Sequence, residues 1–225
     1  LNHAVNFYGL KDNVARKAGN MGKEESKEME FWTQDEFQAF LECVADKEMS
    51  YYAFEILYWT GIREGELLAL TPEDFNFSKK TLRINKSYQR LEGEDVITDP
   101  KTPKSNRTIV MPDFLADEME DFISRMYGIE KNERIFAISK SYLHHEMDRG
   151  AKLAGVKRIR IHGLRHSHIS LLINLGFSAL AIGERVGHEA VDITYHYAHL
   201  FPTVQTDMAA QLDTEREALI NVRKE

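Results

Sequence analysis

Five short segments of the sequence combine the residue types that phosphoryl transfer requires. They are Thr60–Leu67, Pro100–Arg107, His162–His166, Val186–His188 and Tyr195–Leu200. Arginine grips two phosphate oxygens through its forked guanidinium, whereas histidine donates a hydrogen bond or moves a proton. A tyrosine hydroxyl attacks phosphorus to form a covalent intermediate, and a lysine protonates the departing oxygen. Together these residue types would neutralise the charge of the transition state without a metal.

Two of the segments place an arginine near the start of a predicted helix. Arg63 follows a break at Gly61, so the helix dipole and the free N–H groups would attract an anion. Glu66 lies one turn later and would orient a neighbouring group. His162 and Arg165 are three residues apart and therefore share one face of a helix. Arg63 considered alone is more typical of an exposed surface residue.

The other segments supply a lysine, a histidine and a tyrosine. Residues 100–107 form a basic turn between predicted strands, which either reaches a phosphate or is a solvated hairpin tip. His188 follows Gly187 just beyond a helix end, where its side chain is placed to turn inward. Tyr197 comes nine residues after His188, and Tyr195 competes with it as the nucleophile.

Apolar periodicity predicts that helices position most of these residues. A capping box of Thr33 and Glu36, with a hydrophobic staple of Trp32 and Phe37, opens the first helix of a compact domain. Besides the short helix at Arg63, the predicted helices cover residues 34–46, 51–60, 113–127, 141–154, 162–175, 178–186 and 205–220. The predicted buried face of the 162–175 helix consists of Leu164, Leu171, Leu172 and Leu175.

Residues 81–112 change to a strand-like pattern. Runs at 81–84 and 109–111, with turn signals at Gly93 and around Lys101, predict a three-stranded antiparallel sheet. The order of helices and strands favours an α+β fold, in which a mostly helical domain carries this one small sheet.

The chain divides into four segments. Residues 1–18 are interpreted as one amphipathic helix that is too short to stand alone, and residues 19–30 as a polar linker with glycines. Residues 31–202 hold the compact domain, and residues 203–225 form a C-terminal tail helix. Because the chain begins at Leu1 without a methionine, we expect it to be a fragment of a longer protein.

The charge distribution is more informative than the net charge of −7, which by itself argues against nucleic-acid binding. Residues 79–112 carry eight Lys and Arg against four acids, and residues 149–168 carry six Lys and Arg with no acid. The acids concentrate elsewhere, with nine in residues 24–48 and five in residues 113–121. This division fits either a basic surface that faces a polyanion or ordinary solvated faces.

The cysteine content and the hydropathy suggest a cytoplasmic protein. Cys43 is the single cysteine, which excludes an intrachain disulfide and fits a reducing compartment. Its apolar neighbours predict a small core residue. No apolar run approaches the roughly 20 residues of a membrane helix, and no signal peptide is visible, so we predict no membrane association.

The ordered set from Arg63 to Tyr197 resembles the tyrosine recombinase (phage integrase) family over about residues 31–202. The resemblance rests on the boxes Thr60–Arg63, His162–His166 and Tyr197–Leu200, together with Lys101 and Gly187–His188. The N-terminal sequence, around Asn2–Asn13 and the linker, is more similar to integrases of mobile elements than to chromosome-dimer resolvases. The resemblance implies an enzyme that cleaves and rejoins DNA by transesterification, for integration or excision of a mobile element, with no cofactor and no metal.

The resemblance also implies roles for the residues that match. Arg63 and Arg165 would bind the scissile phosphate, and His162 would hydrogen-bond it or assist proton transfer. His188 would bind the phosphate or the incoming oxygen. Glu66 would help hold the site together.

Two further roles concern bond breaking. Tyr197 would form a 3′-phosphotyrosine, and it is preferred to Tyr195 because Ala198–Leu200 after it matches the family box. Lys101 would protonate the 5′-oxygen, and it is preferred to Lys104 because Lys-Thr at a turn matches the family position.

The implied partners are double-stranded DNA and further copies of the chain. Family members act as tetramers on DNA, and a directionality factor is a further candidate partner. Residues 205–220 fit a helix that packs onto a neighbouring subunit or folds back on its own domain, and residues 1–18 resemble the last helix of a core-binding domain. The predicted DNA contacts are Lys104, Arg107, Arg160 and His166.

Three alternatives stay open at this point. A type IB topoisomerase would use the same chemistry without exchanging partners, and a non-catalytic DNA-binding module would share the fold. His162 and His166 also have the spacing of zinc ligands, but Gly163 stands where zinc hydrolases place a glutamate.

Overall fold

The structure is a computed structural model that describes residues 1–18, 30–100, 105–187, 212–214 and 216. The helices are α1 (Asn2–Phe7), α2 (Val14–Ala18), α3 (Gln34–Val44), α4 (Glu48–Thr60), α5 (Glu64–Leu67), α6 (Asp113–Ser124), α7 (Lys140–Ala154), α8 (Ile161–Asn174) and α9 (Ala179–Val186). The strands are β1 (Phe75–Asn76), β2 (Thr81–Ile84), β3 (Ser87–Leu91), β4 (Glu94–Thr98) and β5 (Arg107–Val110). These elements confirm the α+β fold, and the predicted helices from α3 to α9 are present with shifts of a few residues at their ends.

The first helix of the compact domain begins as its sequence predicts. The Glu36 backbone N–H donates to Thr33 Oγ1 over 3.2 Å, and the Thr33 N–H donates to Glu36 Oε2 over 2.8 Å. These two bonds form the predicted capping box. Helix α3 then buries Phe37, which stacks on Tyr58 of α4 with ring centroids 3.7 Å apart. Aromatic packing of this kind holds α3 and α4 in one core.

The predicted sheet has the right number of strands, but the strands that form it differ from the prediction. Strands β1, β2 and β5 form the three-stranded antiparallel sheet, while β3 and β4 pair separately. Strand β2 pairs with β1 on one side and β5 on the other, which leaves no free edge for β3. Glu92 and Gly93 join β3 to β4 with φ values of 51° and 90°, as a tight hairpin turn requires.

Helix α8 is buried on most of its circumference, so the predicted leucine face is only partly correct. Leu164 is fully buried, whereas Leu175 is 63% exposed beyond the helix end. Ile161, Ile169 and Ile173 are buried instead. A central helix packed against several neighbours does not show the single apolar stripe of a surface helix, which is why periodicity misplaced this face.

The N-terminal segment does not form the predicted single helix. Helix α1 ends before Gly9, which adopts a φ of 67°, and α2 begins after Asn13, whose side chain accepts from the Arg16 N–H over 3.2 Å. Helix α1 has no buried residue. The assignment of residues 1–18 to a core-binding domain stays a prediction.

Two predictions from composition have a structural counterpart. Cys43 is half-buried on α3, so it lies at the margin of the core and not within it. In the described part of the chain, no helix is both long enough and apolar enough to cross a membrane.

A buried carboxyl lies between α4 and α6. Glu55 is 5% exposed, and its Oε2 has no hydrogen-bond partner. Burial, together with the charge of Glu118, raises the pKa of Glu55 to about 7. The folded chain therefore binds a proton here that the unfolded chain releases near pH 4.5. This contribution to stability is fully present below pH 4.5 and is lost as the pH rises through about 7.

We expect Glu55→Gln to stabilise the protein at pH 8 by on the order of 2 kcal/mol, because it removes the cost of ionising a buried group. The gain should shrink as the pH falls toward 5, where the wild-type carboxyl is protonated in the folded state. Urea unfolding across this pH range measures the effect. Glu120→Gln, at an exposed position of α6, is the control. A gain for Glu55→Gln that does not vary with pH would contradict the assignment.

Candidate active site

Arg63 lies where α4 breaks and α5 begins. Gly61 ends α4 in the left-handed conformation with a φ of 66°, and Arg63 is the N-cap residue of α5. Its Nη1 donates to Glu66 Oε1 over 2.8 Å, and its Nη2 donates to the Gly187 carbonyl over 3.2 Å. The side chain is 38% exposed, so it is oriented by the protein and still open to a ligand.

Arg165 is held more deeply, on α8. Its side chain is among the largest fully buried ones, with a residue exposure of 1%. Nη1 donates to the Gly61 carbonyl and Nη2 to the Val186 carbonyl, both over 2.6 Å. Arg165 thus joins the end of α4 to the end of α9.

The end of α9 collects three guanidinium groups on three successive carbonyls. The Arg185 carbonyl accepts from Arg107 Nε over 2.9 Å, the Val186 carbonyl accepts from Arg165, and the Gly187 carbonyl accepts from Arg63. The last carbonyls of a helix lack partners within the helix and carry the negative end of its dipole. The end of α9 is therefore suited to gather cations.

Glu66 supplies a carboxylate to this cluster. Its side chain is 5% exposed and lies between Arg63 and Arg107, whose Nη2 donates to Glu66 Oε2 over 2.9 Å. Burial raises the pKa of Glu66, but the hydrogen bonds and charges of Arg107 and Arg63 outweigh it and hold this pKa below its ordinary value. The carboxylate is ionised at neutral pH and holds both guanidinium groups in place. Its supporting role in the reaction stays a prediction.

In this structure Arg107 lies in the protein interior, and its predicted contact with DNA stays a prediction. The Arg107 side chain is 6% exposed, and all three of its nitrogens donate to protein acceptors. A buried Glu66 needs a charged partner, and Arg107 at the start of β5 is close enough to provide it. The basic turn in the sequence suggested exposure because it contains no hint of this distant carboxylate.

His162 and His166 lie one turn apart on α8, on either side of Arg165 in sequence. The rings of His162 and His166 meet edge to face with centroids 4.8 Å apart. Burial, followed by the charges of Arg165, Arg63 and Arg160, lowers the pKa of His162. Burial, followed by His162, lowers the pKa of His166 to about 4. Both shifts favour neutral rings at neutral pH.

Of the two remaining contacts predicted on α8, Arg160 is exposed at the N-cap and His166 is half-buried. Their contact with DNA stays a prediction. In the described ranges, no three His, Cys, Asp or Glu side chains are grouped as metal ligands.

Several predicted site residues lie outside the described residues, namely Lys101, Lys104, His188, Tyr195 and Tyr197. Most of the predicted C-terminal helix, residues 205–220, also lies outside them. Two residues that adjoin them in sequence are described. Arg63 Nη1 donates to Ser105 Oγ over 3.4 Å, and Ser105 directly follows Lys104. Gly187, whose carbonyl Arg63 also contacts, directly precedes His188.

Sequence reasoning missed Arg185. Its side chain, in the last turn of α9, donates to His168 Nε2, to the Val110 carbonyl and to the Trp59 carbonyl over 3.0–3.1 Å. The sequence signal that could have identified it is its position two residues before Gly187, in the last turn of a predicted helix. A cationic side chain there is stabilised by the helix dipole.

The fold and the arginine cluster define the chain as a tyrosine recombinase catalytic domain, and comparison with known proteins agrees. The catalytic domain of the bacteriophage HP1 integrase superposes with a TM-score of 0.58 at 20% identity, covering 81% of this chain and 95% of that one. The Tn1549 transposon integrase in complex with a circular intermediate DNA gives a TM-score of 0.69 at 21% identity, covering 84% and 68%.

The sequence comparisons identify the family. The model of the phage integrase family matches residues 30–203, and the chain belongs to this family. The ICEBs1 integrase of Bacillus subtilis is 30% identical over an alignment of 202 residues, with 83% of this chain and 55% of that protein covered. A XerC-like tyrosine recombinase of Caldanaerobacter subterraneus is 26% identical over 222 residues, covering 83% and 54%. The chain thus spans about half the length of these relatives.

We expect Gly61→Ala to destabilise the fold more than an alanine at an equally left-handed but open glycine. A Cβ on Gly61 would lie 2.6 Å from Cδ2 of the buried His168, whereas Gly128, with a φ of 74°, has nothing within 4 Å. Gly128→Ala should cost about 1 kcal/mol through backbone strain, and Gly61→Ala about 2 kcal/mol more through overpacking. Urea unfolding of both variants tests this. Equal losses would show that His168 does not pack against Gly61 as described.

Proposed function

We propose that this chain is the catalytic part of a site-specific DNA integrase that cleaves and rejoins double-stranded DNA for integration or excision of a mobile element. The observation that carries the proposal is the convergence of Arg63 and Arg165 on the end of α9, directly before His188. Four guanidinium groups surround this point with one carboxylate, so the named side chains sum to a positive formal charge. Such a cluster suits a phosphate whose charge grows in the transition state.

The reaction follows from the roles of the residues. Arg63 and Arg165 bind the non-bridging oxygens of the scissile phosphate, and His162 and His188 add hydrogen bonds. The Tyr197 hydroxyl loses its proton and attacks phosphorus. The bond to the 5′-oxygen breaks, which leaves a 3′-phosphotyrosine and a free 5′-hydroxyl. A 5′-hydroxyl of a partner strand then displaces Tyr197, reseals the DNA and returns the phenol.

Contacts of the flanking residues support the roles of the residues outside the described ranges. Ser105, which follows Lys104, contacts Arg63, and its carbonyl accepts from Arg107 over 3.0 Å. Residue 105, the first described residue after Lys101, therefore lies at the arginine cluster. Lys101 in this segment is our candidate for the acid that protonates the 5′-oxygen.

The proposed partners are DNA and other copies of the chain. Further candidates for phosphate contacts are the exposed Arg160, two residues before His162, and Lys104, which directly precedes Ser105 in the sequence. We propose a tetramer on DNA in the cytoplasm, with a directionality factor that selects integration or excision. Residues 203–225 would pack onto a neighbouring subunit, and residues 1–18 would continue into a core-binding domain through the linker at 19–30.

We expect Tyr197→Phe to abolish the covalent complex, because it removes the attacking oxygen and leaves the arginine cluster in place. The assay traps the adduct of the longer parent protein on nicked DNA from the element end, with EDTA present, and resolves it on a denaturing gel. DNA binding should persist. Tyr195→Phe is the matched control and should still form the adduct. The reverse pattern would reassign the nucleophile, and an adduct that requires a metal ion would overturn the mechanism.

We expect Lys101→Ala to slow cleavage of ordinary DNA by about 100-fold, the usual contribution of a general acid. A substrate with sulfur at the 5′-bridging position should restore the rate, because a thiolate leaves without protonation. Single-turnover cleavage of both substrates measures this rescue. Lys104→Ala is the control and should respond equally to the two substrates. An unrescued Lys101→Ala would remove this lysine from the acid role.

A further inference from the structure

Arg185 joins the end of α9 to three other elements. Its Nε donates to His168 Nε2 on α8 over 3.1 Å, and its Nη1 donates to the Val110 carbonyl of β5 over 3.0 Å. Its Nη2 donates to the Trp59 carbonyl of α4 over 3.1 Å. One half-buried guanidinium thus ties α9 to α8, β5 and α4.

His168 is the acceptor that makes this arrangement specific. The residue is 2% exposed, and burial, followed by the charge of Arg185, lowers its pKa to about 3. A neutral ring carries its proton on one of its two nitrogens. Because the Arg185 guanidinium can only donate, that proton is assigned to Nδ1, and Nε2 accepts. The same ring packs so closely on Gly61 that a Cβ there would lie 2.6 Å from Cδ2. His168 therefore contacts the break at Gly61 directly.

The hydrogen bond between Arg185 and His168 lies beside both backbone carbonyls that accept from Arg165. The Gly61 carbonyl, next to the His168 ring, receives Arg165 Nη1, and the Val186 carbonyl, next in sequence to Arg185, receives Nη2. The carbonyl of Arg185 itself receives Arg107, which in turn orients Glu66. A shift of the end of α9 would displace these acceptors together.

We propose that Arg185 and His168 are positioning residues that act together to set the orientation of the phosphate-binding Arg165. They would act through the carbonyls of Gly61 and Val186, which accept from Arg165. The catalytic consequence rests on the proposed function, whereas the orientation of Arg165 does not. A misplacement of about 1 Å in such a clamp lowers a rate by about 100-fold.

Two pairs of variants separate this role from a general loss of stability. Arg185→Lys keeps the charge but loses the fork, and Arg185→Met loses both. His168→Gln keeps an acceptor near Nε2, and His168→Leu loses it. Arg149→Met is the matched control, because Arg149 also makes ionic contacts away from the cluster, with the buried Glu146 and the exposed Asp46.

The first measurement is single-turnover adduct formation by the longer parent protein, on a normal scissile phosphate and on a methylphosphonate that lacks one charged oxygen. We expect Arg185→Met to slow the normal substrate by about 100-fold with little change in DNA affinity, and the methylphosphonate much less. His168→Leu should behave similarly, and His168→Gln should recover most of the rate. Arg149→Met should lower the melting temperature without changing the rates. Equal losses on both substrates, or no rescue by His168→Gln, would overturn the proposal.

The second measurement does not depend on catalysis. In ¹⁵N NMR spectra, the guanidinium of Arg165 should give slowly rotating Nη signals, identified by their loss in Arg165→Lys. Arg185→Met should collapse these signals, and Arg149→Met should retain them. If the wild-type protein forms no adduct and Arg185→Met still collapses the Arg165 signals, the positioning role would be supported and the proposed function refuted. Retained signals in Arg185→Met would refute the positioning role, whether or not an adduct forms.

Discussion

The rest of the site depends on the hydrogen bonds that three arginines donate to the backbone carbonyls at the end of helix α9. Three successive backbone carbonyls accept from Arg107, Arg165 and Arg63, which come from β5, α8 and the start of α5. Side chains bring the charge, but backbone atoms determine where each guanidinium points. Backbone acceptors are rigid and uncharged, so they orient the arginines without neutralising them. This combination is suited to binding a phosphate.

The cluster brings several like charges together, and Glu66 offsets part of their repulsion. It bonds to Arg63 and Arg107 and is nearly inaccessible to water. Arg63 keeps a substantial exposed surface, whereas Arg107 does not. The carboxylate therefore divides the arginines into one that can still reach a ligand and one that supports the architecture.

Much of the local structure was predictable, because caps, glycine breaks and periodicity act within a few residues. The capping box at Thr33, the break at Gly61 and the end of α9 at Gly187 were all predicted from such signals. The grouping of the strands was not, because β1 is only two residues long and shows no alternating pattern, and β3 and β4 form a separate hairpin. Periodicity also predicted one helix over residues 1–18, which is wrong because the first helix ends before the left-handed Gly9.

The sequence by itself determined which residue types are present, their order and their places relative to helix starts and ends, and this sufficed to predict the family and the fold class. Only the tertiary structure decided that Arg107 turns inward to Glu66 and that Arg185 anchors α9 through His168. The physical reason is that both arginines find their partners far along the chain, on elements that meet only after folding. The sequence around an arginine does not show whether water, a carboxylate or a backbone carbonyl will accept its hydrogen bonds.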